Sequence, residues 1–151
     1  MTTVHDLIKN RPTFTVEAEV SVLKAVEIMV EKNIGAVAVV REGDLVGIFS
    51  ERDLMKRVVA GNRSPGLTKI SEVMTPRPYT VSSSEGFQHC MFLMREHGFR
   101  HLPVVDENQK LCGLISLRDV LLRDLTEKDE EVRMMRAYIQ QQAPGPVGPE
   151  H

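Results

Sequence analysis

Residues 47–57, GIFSERDLMKR, and residues 113–123, GLISLRDVLLR, are two versions of one segment. The echo extends well beyond them. When the sequence is laid on itself, Thr15-Val16 falls on Thr80-Val81, Met29 on Met94, Glu31 on Glu96 and Val39-Val40 on Val104-Val105. One extra residue in a later loop, DENQKL against REGDL, shifts the register. Gly47, Ser50, Arg52, Asp53 and Arg57 then fall on Gly113, Ser116, Arg118, Asp119 and Arg123. Two copies of roughly sixty residues explain the echo.

Each copy has the same pattern. In SVLKAVEIMVEK the apolar residues Val22, Ala25, Val26 and Met29 share one helical face. IGAVAVV then reads as a buried strand, REGD as a turn and LVGIF as a second strand, with another helix opening at Ser50. In the second copy the helical face is Phe87, Cys90, Met91 and Met94, the strands are HLPVV and KLCGLI, and the last helix opens at Ser116. The unit is β-α-β-β-α, twice, a mixed α/β (α+β) fold with repeats over 3–62 and 66–125. AGNRSPGLT between them has connector composition, and the prolines of VMTPRPYTV stop any helix there. A further helix is expected over 126–142, with a single narrow stripe of Val132, Met135 and Ile139. The segment 143–151, APGPVGPEH, is expected to be disordered.

Composition narrows the function classes. A length of 151 residues with 42% hydrophobic and 26% charged residues suits a packed globular domain. Only 5% of residues are aromatic, so aliphatic side chains and eight methionines fill the core. The formal charge of −2, without a basic block, argues against a nucleic-acid partner. Cys90 and Cys112 sit within apolar patterns, so both are expected to be reduced, buried thiols. No apolar run approaches a membrane span, and MTTVHDLIKN lacks the apolar centre of a signal peptide. A cytoplasmic location is expected.

The repeated Ser-x-x-Asp has two readings. As a capping box, the hydroxyl accepts from a backbone N–H of the first helical turn and the acid reaches back. As a ligand site, the strand-to-helix junction offers backbone N–H groups to an anion. An acceptor-only carboxylate there suits a pair of vicinal hydroxyls, as the acid of dinucleotide folds suits a ribose. Both readings stay open on the residues alone.

The duplicated Gly-hydrophobic-x-Ser-x-x-Asp, the restart VMTPRPYTV and the run HGFRHLPVVD resemble the tandem cystathionine-β-synthase (CBS) domain family, whose domain pairs are called Bateman modules. The resemblance spans roughly residues 3–125. It implies a pair of CBS repeats packed as one module, a ligand containing adenosine in the cleft between repeats, and dimerisation. It makes Asp53 and Asp119 the ribose ligands of two clefts, with Ser50 and Ser116 beside them and Thr15 and Thr80 at the adenine end. Arg100 and His101, which alone would read as a solvated strand start, become phosphate ligands. Leu102, Pro103 and Arg118 complete the candidate set. Because the first copy has Gly35 and Ala36 where the second has Arg100 and His101, the cleft of Asp119 is expected to be the better equipped, and that of Asp53 the poorer.

Other chemistries lack their motifs. His89, Cys90, His97, His101 and Cys112 do not have metal-ligand spacing, and neither a nucleophile elbow nor a phosphate-binding loop is written in the chain. No catalysis and no required cofactor are expected. The expectation is a regulatory module that binds AMP, ADP, ATP or S-adenosylmethionine and acts on an unknown protein target in trans. Phe92 and Leu93 widen the apolar face of their helix, so a homodimer through helices 21–32 and 85–96 is expected. The rival is a ligand-independent dimerisation scaffold in which both motifs are only caps.

Overall fold

The computed structural model describes residues 1–142. The expected tail over 143–151 lies outside the described residues. The first half runs α1 (Val4–Ile8), β1 (Thr15–Glu17), α2 (Val22–Lys32), β2 (Ala36–Arg41), β3 (Asp44–Ser50) and α3 (Glu51–Asp53). α3 continues as a π-helical stretch, Leu54–Val59, in which Ala60 N–H reaches back five residues to the carbonyl of Met55. Next come α4 (Ile70–Val73) and β4 (Thr75–Pro76). The second half comprises β5 (Val81–Ser82), α5 (Phe87–His97), β6 (His101–Val105), β7 (Leu111–Ser116) and α6 (Leu117–Gln142).

The two sheets carry the duplication into three dimensions. One has strand order β1-β2-β3-β4 and the other β5-β6-β7. In each, the first strand pairs parallel with the second, Val16 with Val39 and Val81 with Val104. In each, the antiparallel hairpin slips register at the equivalent place, between Val39 and Val40 and between Val104 and Val105. The helices α2 and α5 end at equivalent left-handed residues, Asn33 and Gly98.

The packing units are out of phase with the sequence repeats. α1, at the front of the first copy, contributes Val4 and Ile8 to the core of Val81, Phe87, Cys90, Leu102, Val104 and Ile115. α4, ahead of the second copy, contributes Ile70 and Val73 to the core of Val16, Val22, Met29, Val37, Val39 and Phe49. Backbone bonds hold both arms: Val4 N–H to Glu85 O at 2.8 Å, and Val22 N–H to Thr68 O at 2.8 Å. This is why both apolar runs contain a glycine. A Cβ at Gly47 would meet the Met74 sulfur and lie 2.9 Å from Thr75 O, and one at Gly113 would lie 2.5 Å from Ile8 Cδ1. Each glycine lets the arm in front of the opposite half close against a sheet.

The last helix differs from expectation. Instead of one helix ending near residue 125 and another over 126–142, α6 is continuous. No proline or glycine interrupts LLRDLTEKDEE, and Lys128 bonds Asp124 one turn back at 2.9 Å across the expected boundary. Of the two thiols expected to be buried, Cys90 is, whereas Cys112, in β7, is exposed. No helix among the described residues is long and apolar enough to cross a membrane.

Candidate functional site

Both Ser-x-x-Asp motifs form capping boxes at strand-to-helix junctions. Ser50 N–H donates to Asp53 Oδ2 at 2.9 Å, and Asp53 N–H donates to Ser50 Oγ at 3.3 Å. Ser116 N–H donates to Asp119 Oδ2 at 2.8 Å, and Asp119 N–H to Ser116 Oγ at 3.1 Å. The cap reading is therefore realised at both places. A carboxylate has capacity beyond the cap, and the two aspartates use it differently.

The crossed arms decide which residues share a cleft. The first cleft, about 500 Å³, brings Ser50 to Asp53 together with Thr75 to Tyr79 and with His97 to Leu102. The second, about 380 Å³, brings Ser116, Arg118 and Asp119 together with Arg11 to Phe14 and Asn33 to Ala36. Each cleft thus combines the Ser-x-x-Asp of one half with the helix-to-strand turn of the other. This corrects the expected pairing: Arg100 lies in the cleft of Asp53, and Asp119 faces Gly35 and Ala36. His101 lines both cavities.

The other candidates are placed as follows. Ser50, Asp53, Arg100, His101 and Leu102 line the first cleft, and Ser116, Arg118, Asp119 and His101 the second. Arg100, Ser116 and Arg118 also border a shallower groove against Leu121 and Leu122. Thr15 and Thr80 line neither cleft. Thr15 is paired in β1 with its side chain exposed, and the threonines at the cavities are Thr13 and Thr75. Pro103 is buried within β6 and reaches neither cleft.

Arg11, Arg77, Tyr79, His97 and Phe99 were not among the sequence candidates. For the two arginines the signal is the dipeptide Arg-Pro, which precedes the first strand of each copy as Arg11-Pro12 and Arg77-Pro78. Arg11 grips Asp119 with both guanidinium nitrogens, at 2.9 Å and 2.7 Å, and also donates to Leu114 O at 2.7 Å. Burial would raise the Asp119 carboxyl, but the Arg11 guanidinium and the Ser116 N–H and hydroxyl outweigh it and hold the group below the usual carboxylate range. The equivalent Arg77, at φ +46°, forms no ion pair among the described residues. Asp53 receives instead the Thr75 hydroxyl at 3.2 Å, with Arg57 Nη1 at 3.8 Å. Opposite it, Tyr79, His97 and Phe99 form an aromatic cluster with centroids 4.6–5.1 Å apart. Burial lowers the His101 imidazole below its ordinary value, and Arg100 adds to this against the pull of Glu51 and Asp119.

The first cleft therefore offers acceptor oxygens on Asp53, a cationic wall of Arg77 and Arg100, and an aromatic surface. The second has its carboxylate neutralised from within. The CBS domain model matches residues 4–60 and 70–125. This chain belongs to the CBS-domain family. It is 34% identical over 80% of its length to the CBS domain-containing protein CBSX3, mitochondrial, of Arabidopsis thaliana, of which it spans 60%. It is 32% identical over 76% of its length to the CBS domain-containing protein YhcV of Bacillus subtilis, of which it spans 80%. Among solved structures, a protein with CBS domains from Burkholderia ambifaria MC40-6 superposes with TM-score 0.78 at 40% identity, covering 83% of this chain and 95% of that one. CBSX2 in complex with AMP superposes with TM-score 0.70 at 28% identity, covering 85% and 99%. The CBS domain pair of MJ0100 in complex with 5′-methylthioadenosine and S-adenosyl-L-methionine gives TM-score 0.74 at 29% identity, covering 85% and 98%.

Proposed function

We propose that this CBS pair is a regulatory module that binds a ligand containing adenosine, AMP, ADP, ATP or S-adenosylmethionine, in the cleft of Asp53. The reading is supported by two similar CBS pairs captured with AMP and with adenosyl metabolites. The observation that carries the choice of cleft is the difference between the two aspartates: Asp119 is held by two short bonds from Arg11, whereas Asp53 has, among the described residues, only the longer cationic contact with Arg57 at 3.8 Å and shares its cavity with Arg77 and Arg100.

Asp53 Oδ1 accepts the ribose hydroxyls, displacing or sharing the Thr75 hydroxyl. The base lies against Tyr79, His97 and Phe99, where π-faces give contact without sequence of hydrogen bonds. Arg100 and Arg77 meet the phosphate or other polar tail beside His101, with charge-assisted hydrogen bonds from the two guanidinium groups strengthened by partial burial. A ligand so placed bridges the two halves, and it biases the protein between states only as far as it favours one of them. The output is a change of shape or of association, exerted by a homodimer through α2 and α5 on a target in trans. Leu23, Val30 and Phe92, exposed apolar residues on those helices, supply the dimer contact.

Thermal shift with AMP, ADP, ATP and S-adenosylmethionine tests the reading. A ligand at a hundred times its dissociation constant adds ~2.7 kcal/mol, which at about 2–4 °C per kcal/mol raises the melting temperature by roughly 5–11 °C. Asp53→Ala and Arg100→Ala should lose this gain and Asp119→Ala should keep it. If none of the four ligands shifts the wild-type protein, both motifs are caps and the protein is a dimerisation scaffold.

A further inference from the structure

The body of the protein ends before α6 does. Every residue from Lys128 to Gln141 is exposed, so roughly 20 Å of helix, at 1.5 Å per residue, stands clear of both cores. An isolated helix of this length is marginal in water. Its surface is nevertheless patterned: Leu121, Leu125, Val132, Met135 and Ile139 recur with alternating spacings of four and three or seven, the a and d positions of a heptad, with Lys128 at the remaining d position. Val132, Met135 and Ile139 are 44%, 63% and 60% exposed, and nothing among the described residues covers them.

Charge selects what does. The stripe is flanked by Asp124, Asp129, Glu130 and Glu131, which disfavours an anionic membrane surface. In a parallel pair of these helices, Lys128 would meet its own copy in the seam, and Asp124 would lie opposite Asp129 of the second molecule. In an antiparallel pair centred between Val132 and Met135, Val132 faces Met135 of the other copy and Lys128 lays its stem against Ile139. The flanks then match: Asp129 of each molecule lies beside Arg136 of the other, twice by symmetry. Arg136 forms no ion pair among the described residues, while Asp129 holds Arg133 at 2.9 Å and can share its second oxygen. The same register brings Leu125 opposite residue 142.

We propose that the distal half of α6 is a homotypic docking surface that pairs antiparallel with the same segment of a second copy of this chain. It is separate from α2 and α5, so it joins molecules or dimers end to end, and only a short seam holds it, which makes it a reversible contact strengthened by any other contact between the same molecules.

The test is disulfide formation in full-length protein carrying Cys112→Ser, which leaves only the buried Cys90. Copies with Lys128→Cys are mixed with copies with Ile139→Cys under mild oxidation. The mixed disulfide should form readily and exceed either self-linked product; self-linked Lys128→Cys would mean a parallel pair, and no mixed product would mean no pair, and either overturns the proposal. Sedimentation velocity from low to high micromolar supplies the second arm. Arg136→Glu should weaken self-association roughly tenfold, and adding Asp129→Arg in the same chain should restore it. Because the segment touches neither core, these variants keep the wild-type melting temperature. Self-association that ignores Arg136→Glu and Met135→Glu alike would show that this face serves another partner and would overturn the proposal.

Discussion

Arg11→Ala should separate the internal ion pair from everything else the N-terminal arm does. The side chain donates three short hydrogen bonds, two to Asp119 and one to Leu114 O, and sits outside both hydrophobic cores. Fully buried bonds to a charged group contribute about 1.5–3 kcal/mol each. Here the side chains of Arg11 and Asp119 are 37% and 21% exposed, so solvent screens the pair and reduces the total. A net loss of about 1–2 kcal/mol follows, or roughly 2–8 °C in melting temperature for a chain of this size. The sign with pH is fixed by the Asp119 carboxyl, which lies below its ordinary value in the folded protein. A depressed carboxyl stabilises the fold above the unfolded pKa, about 3.9, and that contribution disappears as pH falls through the lower folded value. Calorimetric melts of wild type and Arg11→Ala should therefore differ fully from pH 7 down to about 5 and draw together as pH falls below the unfolded carboxyl value. Arg11→Lys should recover only part, because an ammonium cannot reproduce the two-pronged contact. A difference that is absent at neutral pH, or that persists undiminished in acid, would refute the assignment of this energy to the ion pair.

Gly47→Ala and Gly113→Ala should both destabilise, the first by about 2 kcal/mol and the second by less. The added methyl at residue 47 meets a backbone carbonyl, whereas that at 113 meets mainly the movable end of Ile8; equal losses in urea unfolding would contradict this account. Phe92→Glu should shift the protein toward monomer in sedimentation, and an unchanged dimer would remove α5 from the interface. In native protein, alkylation should be confined to the exposed Cys112, because Cys90 is buried and its thiol is pushed up to about 11. Label on Cys90 at the same rate, read by mass spectrometry, would contradict the packing of α5.

The main elements are legible because each has a one-dimensional signal, whereas the short helices α1 and α4 are not. Helical spacing marks α2 and α5, apolar valine-containing runs mark β2 and β6, and the repeated Ser-x-x-Asp marks two helix starts. α6 was broken wrongly because the apolar face narrows after Leu125, and a loss of tertiary contacts looks in sequence like a loss of helix. The clefts were less legible for a different reason. A duplicated sequence invites the assumption that each copy builds its own site, and Asp119 was accordingly matched with Arg100 and His101 of its own repeat.

The crossing of the arms reverses that match. Val4 and Ile8 belong to the core of the second half, and Ile70 and Val73 to that of the first, so the chain entering each half passes the Ser-x-x-Asp junction of the other. The arginine of each Arg-Pro arrives beside an aspartate it is far from in sequence. At the first crossing Arg11 closes on Asp119; at the second, Thr75 takes the carboxylate and Arg77 lines the cavity instead. One duplicated motif thus yields a cleft whose aspartate is held by an internal ion pair and a cleft lined by the cations Arg77 and Arg100. Arg100 therefore stands in the cleft of the other copy's aspartate, Asp53, while His101 lines both clefts and Asp119 shares its own with Gly35 and Ala36.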